Sequence, residues 1–226
     1  SPDGFSTIGL EPASGIAIGA TYAYLSGRSL GTVAPAIRLF DKRDPTRGAI
    51  PVHLESEFRV SDMRDVVLSA DETRLFLVSR FPDVLLIVEI AGRDADLPAL
   101  TVVGAVPLPA GPTQARLIPR GAGHRSLVAI ACTDSNSVAL YDDAAGQLAN
   151  VIASGIGAQP FGIAVHAPPN APGARLFVSN FGDGRISVID IPDIHAPSDA
   201  RVVALLGPSH RCVTDPSASE CTGDTP

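Results

Sequence analysis

Residues 160–191 read PFGIAVHAPPNAPGARLFVSNFGDGRISVIDI, and this stretch decides the fold. The short apolar run IAV is followed by a loop rich in Pro and Gly, and then by two longer β-patterned runs, RLFVSN and RISVIDI. The pair Asp183-Gly184 separates the two longer runs. Asp-Gly in this setting predicts a hairpin in which both turn positions have positive φ. The stretch therefore predicts three antiparallel strands in chain order.

The same order of signals occurs three more times, in residues 15–41, 63–90 and 112–142. Equivalent first-strand positions are spaced by 50, 49 and 48 residues: Ile16, Val66, Ala115 and Ile163. Equivalent second-strand positions are spaced by 53, 53 and 48 residues: Tyr22, Leu75, Val128 and Leu176. Each third strand ends on an acid: Asp41, Glu89, Asp142 and Asp190. A fourth strand follows each acid, and in the first copy a longer loop separates YLSG from AIRLFD.

Four strands in about fifty residues is the period of a β-propeller blade. We therefore predict an all-β chain of four consecutive four-stranded blades, at about 12–60, 61–109, 110–157 and 158–206, then a polar tail at 207–226. The second strands RLFLVS and RLFVSN are apolar on both faces, as expected where a blade packs between two others. A two-sheet sandwich also uses short strands, but it does not predict four copies in register.

Composition excludes several classes of protein. The chain has 226 residues, of which 45% are apolar and 18% charged, so it is globular. Its net charge of −7 argues against binding to nucleic acid or to an anionic membrane surface. No apolar run approaches the length of about eighteen residues that a membrane span needs. Of the 17 basic residues only Lys42 is lysine, a bias that indicates a GC-rich bacterial genome.

The segment RLFVSNFGDGRISVIDI resembles the YVTN-type repeat, and the preceding GIGAQPFGIAVHAP resembles the lead-in of that repeat. DVVLSADETRLFLVS is similar in the same way, and the resemblance extends over roughly residues 12–206. It implies a lactonase-like family of seven-bladed propellers. That family includes surface-layer and secreted proteins, lactonase-like enzymes and heavy chains of quinone-linked amine dehydrogenases. Since only four blades are counted, we expect a C-terminal portion of a larger ring, with the missing blades of the same polypeptide as its partner.

Candidate ligand-binding residues follow from the expected geometry. The innermost strands of a propeller surround its axis, and the loops entering them line a funnel where ligands sit. These entries, and one loop mouth, carry six polar candidates: Arg64, Asp65, Gln114, Arg116, Gln159 and His166. The adjacent pair Arg64-Asp65 has two interpretations: it binds a carboxylate or carbonyl ligand, or it forms an ion pair that spaces adjacent blades.

No catalytic motif is evident. The chain lacks an HExxH helix, and no catalytic residue, metal or cofactor is predicted. The Gly155-Ile-Gly157 segment reads as a turn between blades, because Pro160 replaces the third glycine of a dinucleotide loop. The strand-ending acids are expected to cap turns, and Cys132 is expected to be a buried, inert thiol.

Cys212 and Cys221 lie in the polar tail with eight residues between them. A disulfide would link a tail that has no core of its own, and it favours a secreted or periplasmic location. Zinc is the competing interpretation, but only His210 lies beside one of these cysteines.

Three functions remain open. The first is an extracytoplasmic scaffold that binds a small molecule or a protein. The alternatives are a lactonase-like hydrolase and a subunit of a quinone-linked dehydrogenase.

We predict a Cys212–Cys221 disulfide with Cys132 left as a thiol. In protein secreted by its source organism, alkylation should block one thiol before reduction and three after it, as counted by intact mass. Three reactive thiols before reduction would contradict the prediction. Protein made in a reducing cytosol is not an adequate sample, because thiols persist there.

Overall fold

A computed structural model describes residues 13–33, 36–54, 56–169 and 171–208. The fold is all-β: these residues form sixteen strands and two three-residue 3₁₀ turns, at Pro45–Arg47 and Pro197–Asp199, and no α-helix occurs among them. Consequently the described part of the chain holds no helix with the length and apolarity required to cross a bilayer. Cys212 and Cys221 lie outside the described residues.

The strands form four consecutive antiparallel blades, as the repeats predict. The first blade contains β1 (Ala13–Ile18), β2 (Tyr22–Val33), β3 (Ala36–Asp41) and β4 (Ala49–His53). The second contains β5 (Val60–Leu68), β6 (Arg74–Arg80), β7 (Asp83–Ala91) and β8 (Ala99–Pro107). The third contains β9 (Pro112–Ile118), β10 (Leu127–Cys132), β11 (Ser137–Asp142) and β12 (Gln147–Ile152). The fourth contains β13 (Pro160–His166), β14 (Ala174–Asn180), β15 (Arg185–Ile191) and β16 (Arg201–Leu206).

The predicted long loop of the first copy is wrong. Strand β2 continues for twelve residues to Val33, and its far end pairs with the start of β5 through Arg28↔Asp62 and Val33↔Val60. The first two blades therefore share one continuous sheet. The segment is a strand because the beginning of β5 offers partners for its backbone N–H and C=O groups, which need partners wherever water is excluded.

One predicted repeat position is also wrong by a residue. Ile18 pairs with Ala23, whereas the equivalent Leu68 pairs with Leu75, so Ala23 and not Tyr22 is the counterpart of Leu75. The turn between the first two strands spans residues 19–21 in the first blade and 69–73 in the second. Counting residues between apolar runs does not reveal such a change in turn length.

The Asp183-Gly184 hairpin forms, but with a different turn from the one predicted. Four residues, 181–184, connect the paired residues Asn180 and Arg185, and of the two predicted turn positions only Gly184 has positive φ, at 67°. The N–H of Gly184 donates to the carbonyl of Asn180 at 3.0 Å. The Asp183 carboxylate accepts from the N–H of Arg185 at 3.1 Å. The wider loop is compatible with an ordinary φ at Asp183.

The core lies between successive blades. Strands β6 and β10 are buried on both faces, as predicted for strands packed between neighbouring blades. Between the second and third blades, the rings of Phe76 and Tyr141 lie 5.9 Å apart. Cys132 is fully buried in the same cluster, and burial raises the pKa of its thiol to about 12. The expectation that Cys132 is a buried thiol is confirmed.

Each strand-ending acid lies against an arginine. The pairs are Asp41–Arg43, Glu89–Arg74, Asp142–Arg120 and Asp190–Arg175. The predicted turn-capping role is confirmed for Asp41, which accepts from the N–H of Arg43, and for Asp142, which accepts from the N–H of Ala144. Glu89 and Asp190 instead accept hydrogen bonds from arginine side chains across the strand pair.

Arg120 links the third blade to the fourth. Its guanidinium binds both carboxylate oxygens of Asp142, at 2.7 and 2.8 Å, while its Nε donates to the carbonyl of Ile194, beyond β15, at 2.7 Å. The Arg120 side chain is 4% exposed. The side-chain hydrogen bond from Arg120 is the main reason that the pKa of Asp142 is lowered from its usual value.

We expect Arg120→Met to destabilise the protein by about 3 kcal/mol, because it leaves a carboxylate and a carbonyl without their donor in a mostly buried site. The matched control is Arg175→Met, which breaks a pair whose arginine side chain is 58% exposed. Exposed pairs contribute about 0–1 kcal/mol. Urea unfolding at neutral pH measures both, and equal losses would contradict the role given to Arg120.

The loss of unfolding free energy caused by Arg120→Met should also depend on pH. A carboxyl group with a lowered pKa in the folded state stabilises the protein above its unfolded pKa of about 3.9, and that contribution is lost as the pH falls through the folded value. The difference in unfolding free energy between wild type and Arg120→Met should therefore be constant from pH 7 to about 5 and smaller near pH 3. A difference that grows on acidification would contradict this assignment.

Candidate functional site

The innermost strands line a cleft of about 630 Å³. Its walls come from β1, β5 and β9, with Phe161 of β13 at one side. Cavities of about 300–1,000 Å³ are the usual size for small-molecule sites. Four of the six candidates predicted from the sequence line this cleft: Arg64, Asp65, Gln114 and Arg116.

These four residues lie within strands rather than in the loops that enter them. Strand β5 begins at Val60, and β9 begins at Pro112, so both strands start before the predicted entries. The register of β5 shifts between Met63 and Asp65, so Arg64 is the extra residue of a bulge and lies outside the regular alternation. Arg64 and Asp65 do not pair with each other: Arg64 binds Asp62, and Asp65 binds Arg116.

Asp65 connects the second blade to the third. One carboxylate oxygen accepts from the N–H of Val66 at 2.9 Å, and the other accepts from the N–H of Ala115 at 3.0 Å. The second oxygen also accepts from Nη1 of Arg116 at 3.1 Å, and the Asp65 side chain is 10% exposed. Burial raises the pKa of Asp65, while its hydrogen bonds act in the opposite direction. Asp65 thus links the two blades through Ala115 and Arg116, and not through the predicted ion pair with Arg64.

Gln114 makes the same kind of connection one blade further on. Its Oε1 accepts from the N–H of Ile163, on the innermost strand of the fourth blade, at 2.6 Å. Gln114 precedes Ala115 just as Asp65 precedes Val66, and the two side chains reach equivalent amides of the following blade. A bond of this type satisfies a backbone N–H that lies outside the strand ladder.

Two arginines present unused donors to the cleft. Arg116 uses only Nη1, which donates to Asp65 and to the carbonyl of Ala115 at 2.6 Å. Arg64 binds Asp62 through Nε at 2.9 Å and Nη2 at 2.7 Å. Within the described residues, Nε and Nη2 of Arg116 and Nη1 of Arg64 donate to no protein acceptor. The side chains are 42% and 28% exposed, respectively.

The other two predicted residues lie away from the lining of this cleft. Gln159 is exposed in the loop before β13, has a φ of 55°, and donates its N–H to the side chain of Asn136 at 2.7 Å. His166 is exposed at the opposite end of β13, where it pairs with Arg175. The structure thus groups four of the six candidates and separates these two.

Sequence reasoning missed two features of the structure. The first is Asp62 as the partner of Arg64, which no sequence signal indicates because the register of β5 shifts at Arg64. The second is the approach of His124 and His195, whose ring centroids lie 4.8 Å apart although the residues are distant in the sequence. No group of three metal-ligating side chains occurs in the part of the chain that the structure describes.

A second cleft, of about 670 Å³, lies between the second and third blades and is lined by Arg74, Glu89 and Arg125, among others. Its charges bind one another. Arg74 pairs with Glu89 and with Asp143, and Arg125 lies 3.5 Å from Asp143. Both arginines of this cleft therefore lie against acids of the same chain.

Comparison with known proteins supports the fold. The chain is similar to Kuenenia stuttgartiensis hydrazine synthase, at 15% identity and a TM-score of 0.62 over 91% of this chain and 53% of that one. It is also similar to a Bacteroides fragilis protein provisionally assigned as a 6-phosphogluconolactonase, at 13% identity and a TM-score of 0.61 over 84% of this chain and 56% of that one.

A Bacteroides uniformis protein with the same provisional assignment matches at 18% identity and a TM-score of 0.58, over 85% of this chain and 55% of that one. The chain thus spans about half the length of the structures it matches. No protein-family model matches it, and no curated protein does so. At these identities the comparisons establish the β-propeller fold.

We expect Gln114→Met to destabilise the protein by about 1–3 kcal/mol, since methionine has a similar length but leaves the buried N–H of Ile163 without its acceptor. Gln114→Glu keeps an oxygen in place and serves as the matched control, with an expected loss below about 1 kcal/mol. Chemical unfolding of the two variants measures the difference. Equal stability of Gln114→Met and wild type would contradict the structural role of this side chain.

Proposed function

We propose that this chain is part of a ligand-binding β-propeller whose axial cleft holds a small molecule with a carboxylate or another anionic group. The observation that carries the proposal is the guanidinium of Arg116. It is fixed on one side by Asp65 and the carbonyl of Ala115, while its Nε and Nη2 remain available at the cleft. Two N–H groups of a fixed arginine match the geometry of a carboxylate.

The local charge favours an anion although the whole chain is acidic. The chain has a net charge of −7. The lining of the cleft nevertheless contains two arginines and one acid, Asp65, whose oxygens already accept backbone and side-chain donors. Arg64 adds a second guanidinium with an unused Nη1. Charge-assisted hydrogen bonds to such groups are about twice as strong as those between neutral groups.

A lactonase-like hydrolase of the YVTN-type propeller family is the second candidate. Two of the similar structures carry a provisional assignment whose name gives a phosphorylated lactone as the substrate. A pair of arginines in the cleft suits an anionic substrate of that kind. Both oxygens of Asp65 are engaged in hydrogen bonds, so this function requires a general base other than Asp65. A dehydrogenase subunit remains an alternative that rests on the sequence resemblance alone.

We also infer an extracytoplasmic, bacterial location. The support is the spacing of Cys212 and Cys221 in the tail, together with the predominance of arginine over lysine.

Binding of anions to the full chain tests the proposal. We expect gluconate, 6-phosphogluconate or citrate to bind in calorimetric titrations, and Arg116→Gln to weaken that binding by at least about tenfold, because a hydrogen bond to a charged group contributes about 1.5–3 kcal/mol. The matched control is Arg201→Gln, an exposed arginine on the outermost strand β16. Equal losses in the two variants, or no binding at millimolar concentrations, would contradict the axial site.

The same variants separate the two functions. Hydrolysis of 6-phosphogluconolactone by the wild type, lost in Arg116→Gln and retained in Arg201→Gln, would replace binding with catalysis at the same cleft. Binding without hydrolysis supports the non-enzymatic module.

A further inference from the structure

One face of the fourth blade lacks the cover that the equivalent faces of the second and third blades have. Strand β14 alternates between buried and exposed residues, whereas β6 and β10 are buried on both faces. Phe177 is 36% exposed, while Phe76, at the same register position of the second blade, is 0% exposed under the third blade. The sequence predicts that RLFVSN is packed between two blades, and in the structure only one face of this strand is covered, by the third blade.

The open face is apolar at positions that are core elsewhere. Ile186 of the fourth blade corresponds in register to Leu85 of the second. Ile186 is 40% exposed, and Leu85 is 0% exposed. Phe177 and Ile186 therefore repeat the residue types of an interface between blades, and that interface already exists twice in this chain at the same positions. The continuity of the pattern indicates a further blade as the occupant.

The axial end of the open face carries a glycine–serine pair, Gly162↔Ser179. The first blade carries the same combination at the same register, Gly15↔Ser26. The corresponding positions of the second and third blades hold Asp65 and Gln114, whose side chains reach the next blade. Since glycine has no side chain, this position of the first and fourth blades supplies no equivalent of the Asp65 or Gln114 oxygen to the amide of the blade that packs on it.

At the first blade, the following blade supplies that acceptor itself. Asp65 of the second blade lies directly against the Gly15–Ser26 pair, and a side chain at Gly15 would collide with its carboxylate. The same carboxylate accepts from its own following amide, Val66, and with its other oxygen from Ala115. A carboxylate suits this position because its two oxygens serve two amides.

We propose that the open face of the fourth blade, defined by Gly162, Phe177, Ser179 and Ile186, binds a further propeller blade. The innermost strand of that blade carries an aspartate at the position equivalent to Asp65. The carboxylate of this aspartate lies against the glycine–serine pair Gly162–Ser179. It accepts a hydrogen bond from the N–H of the residue that follows the aspartate.

A second copy of this chain is a poor occupant. Its first blade would bring Gly15 to the position where an acceptor is required. The N–H of Ile16, equivalent to that of Val66, would then face a second glycine and stay without a side-chain acceptor. The matched part of this chain covers 53% and 56% of two similar structures, which is consistent with additional blades.

Photo-crosslinking identifies the occupant. In the protein produced in its source organism, Phe177 is replaced by benzoylphenylalanine, irradiated, and the cross-linked peptide is sequenced by mass spectrometry. We expect a peptide from a further blade, in which an aspartate directly precedes the apolar residues of its innermost strand. A cross-link to residues 13–53 of a second copy, to a peptide without this pattern, or to nothing would overturn the proposal.

A second measurement uses stability. Phe177→Asp should lower the melting temperature of the protein from its source organism by more than about 5 °C, because a charge is buried at the interface, and should change that of the isolated 226-residue chain little. Val151→Asp, at a residue 45% exposed on the outer strand β12, is the matched control and should affect neither. Equal shifts for both variants in the source-organism protein would contradict the proposed interface.

Discussion

The arrangement of the blades depends on the amide groups of the innermost strands. An innermost strand has a ladder partner on one side only, so its amides on the axial side need another acceptor. Asp65 and Gln114 supply oxygens for the amides of Ala115 and Ile163 in the next blade. Apolar packing between blades is non-directional, but these bonds set the position of one blade relative to the next along the axis.

Because of this constraint, a polar residue near the axis does not by itself indicate a ligand site. Asp65 and Gln114 interrupt an apolar pattern, and in the sequence this favours a ligand site. In the structure, a side-chain oxygen of each residue accepts a hydrogen bond from a backbone N–H of the next blade. Arg116 differs, since its anchoring to Asp65 fixes the guanidinium while leaving two nitrogen atoms without protein acceptors in the described part of the chain. The structural role of Asp65 thus orients the group that is available for a ligand.

The repeats predict the fold because strand order, turn residues and apolar pattern agree in four copies. They fail where the information is not local. The extension of β2 depends on pairing with β5, and the position of Ala23 depends on a shorter turn. The partner of Asp65 is an amide fifty residues away, and no spacing rule within one blade indicates it. The sequence thus indicates which residues are polar near the axis, but not which of them are already bound.

The arginines of the chain bear on the proposed anion site at the axis. At the end of each third strand an arginine binds an acid, and these pairs include the nearly buried Arg120 and the exposed Arg175. In the second cleft, Arg74 likewise has two acids as partners. Arginine at these strand ends is therefore balanced by acids of the same chain. Along the axial cleft, Arg64 and Arg116 also have one acid each, but these two arginines line one cavity, so the proposed anion would gain hydrogen bonds to their unused donors without displacing a protein partner.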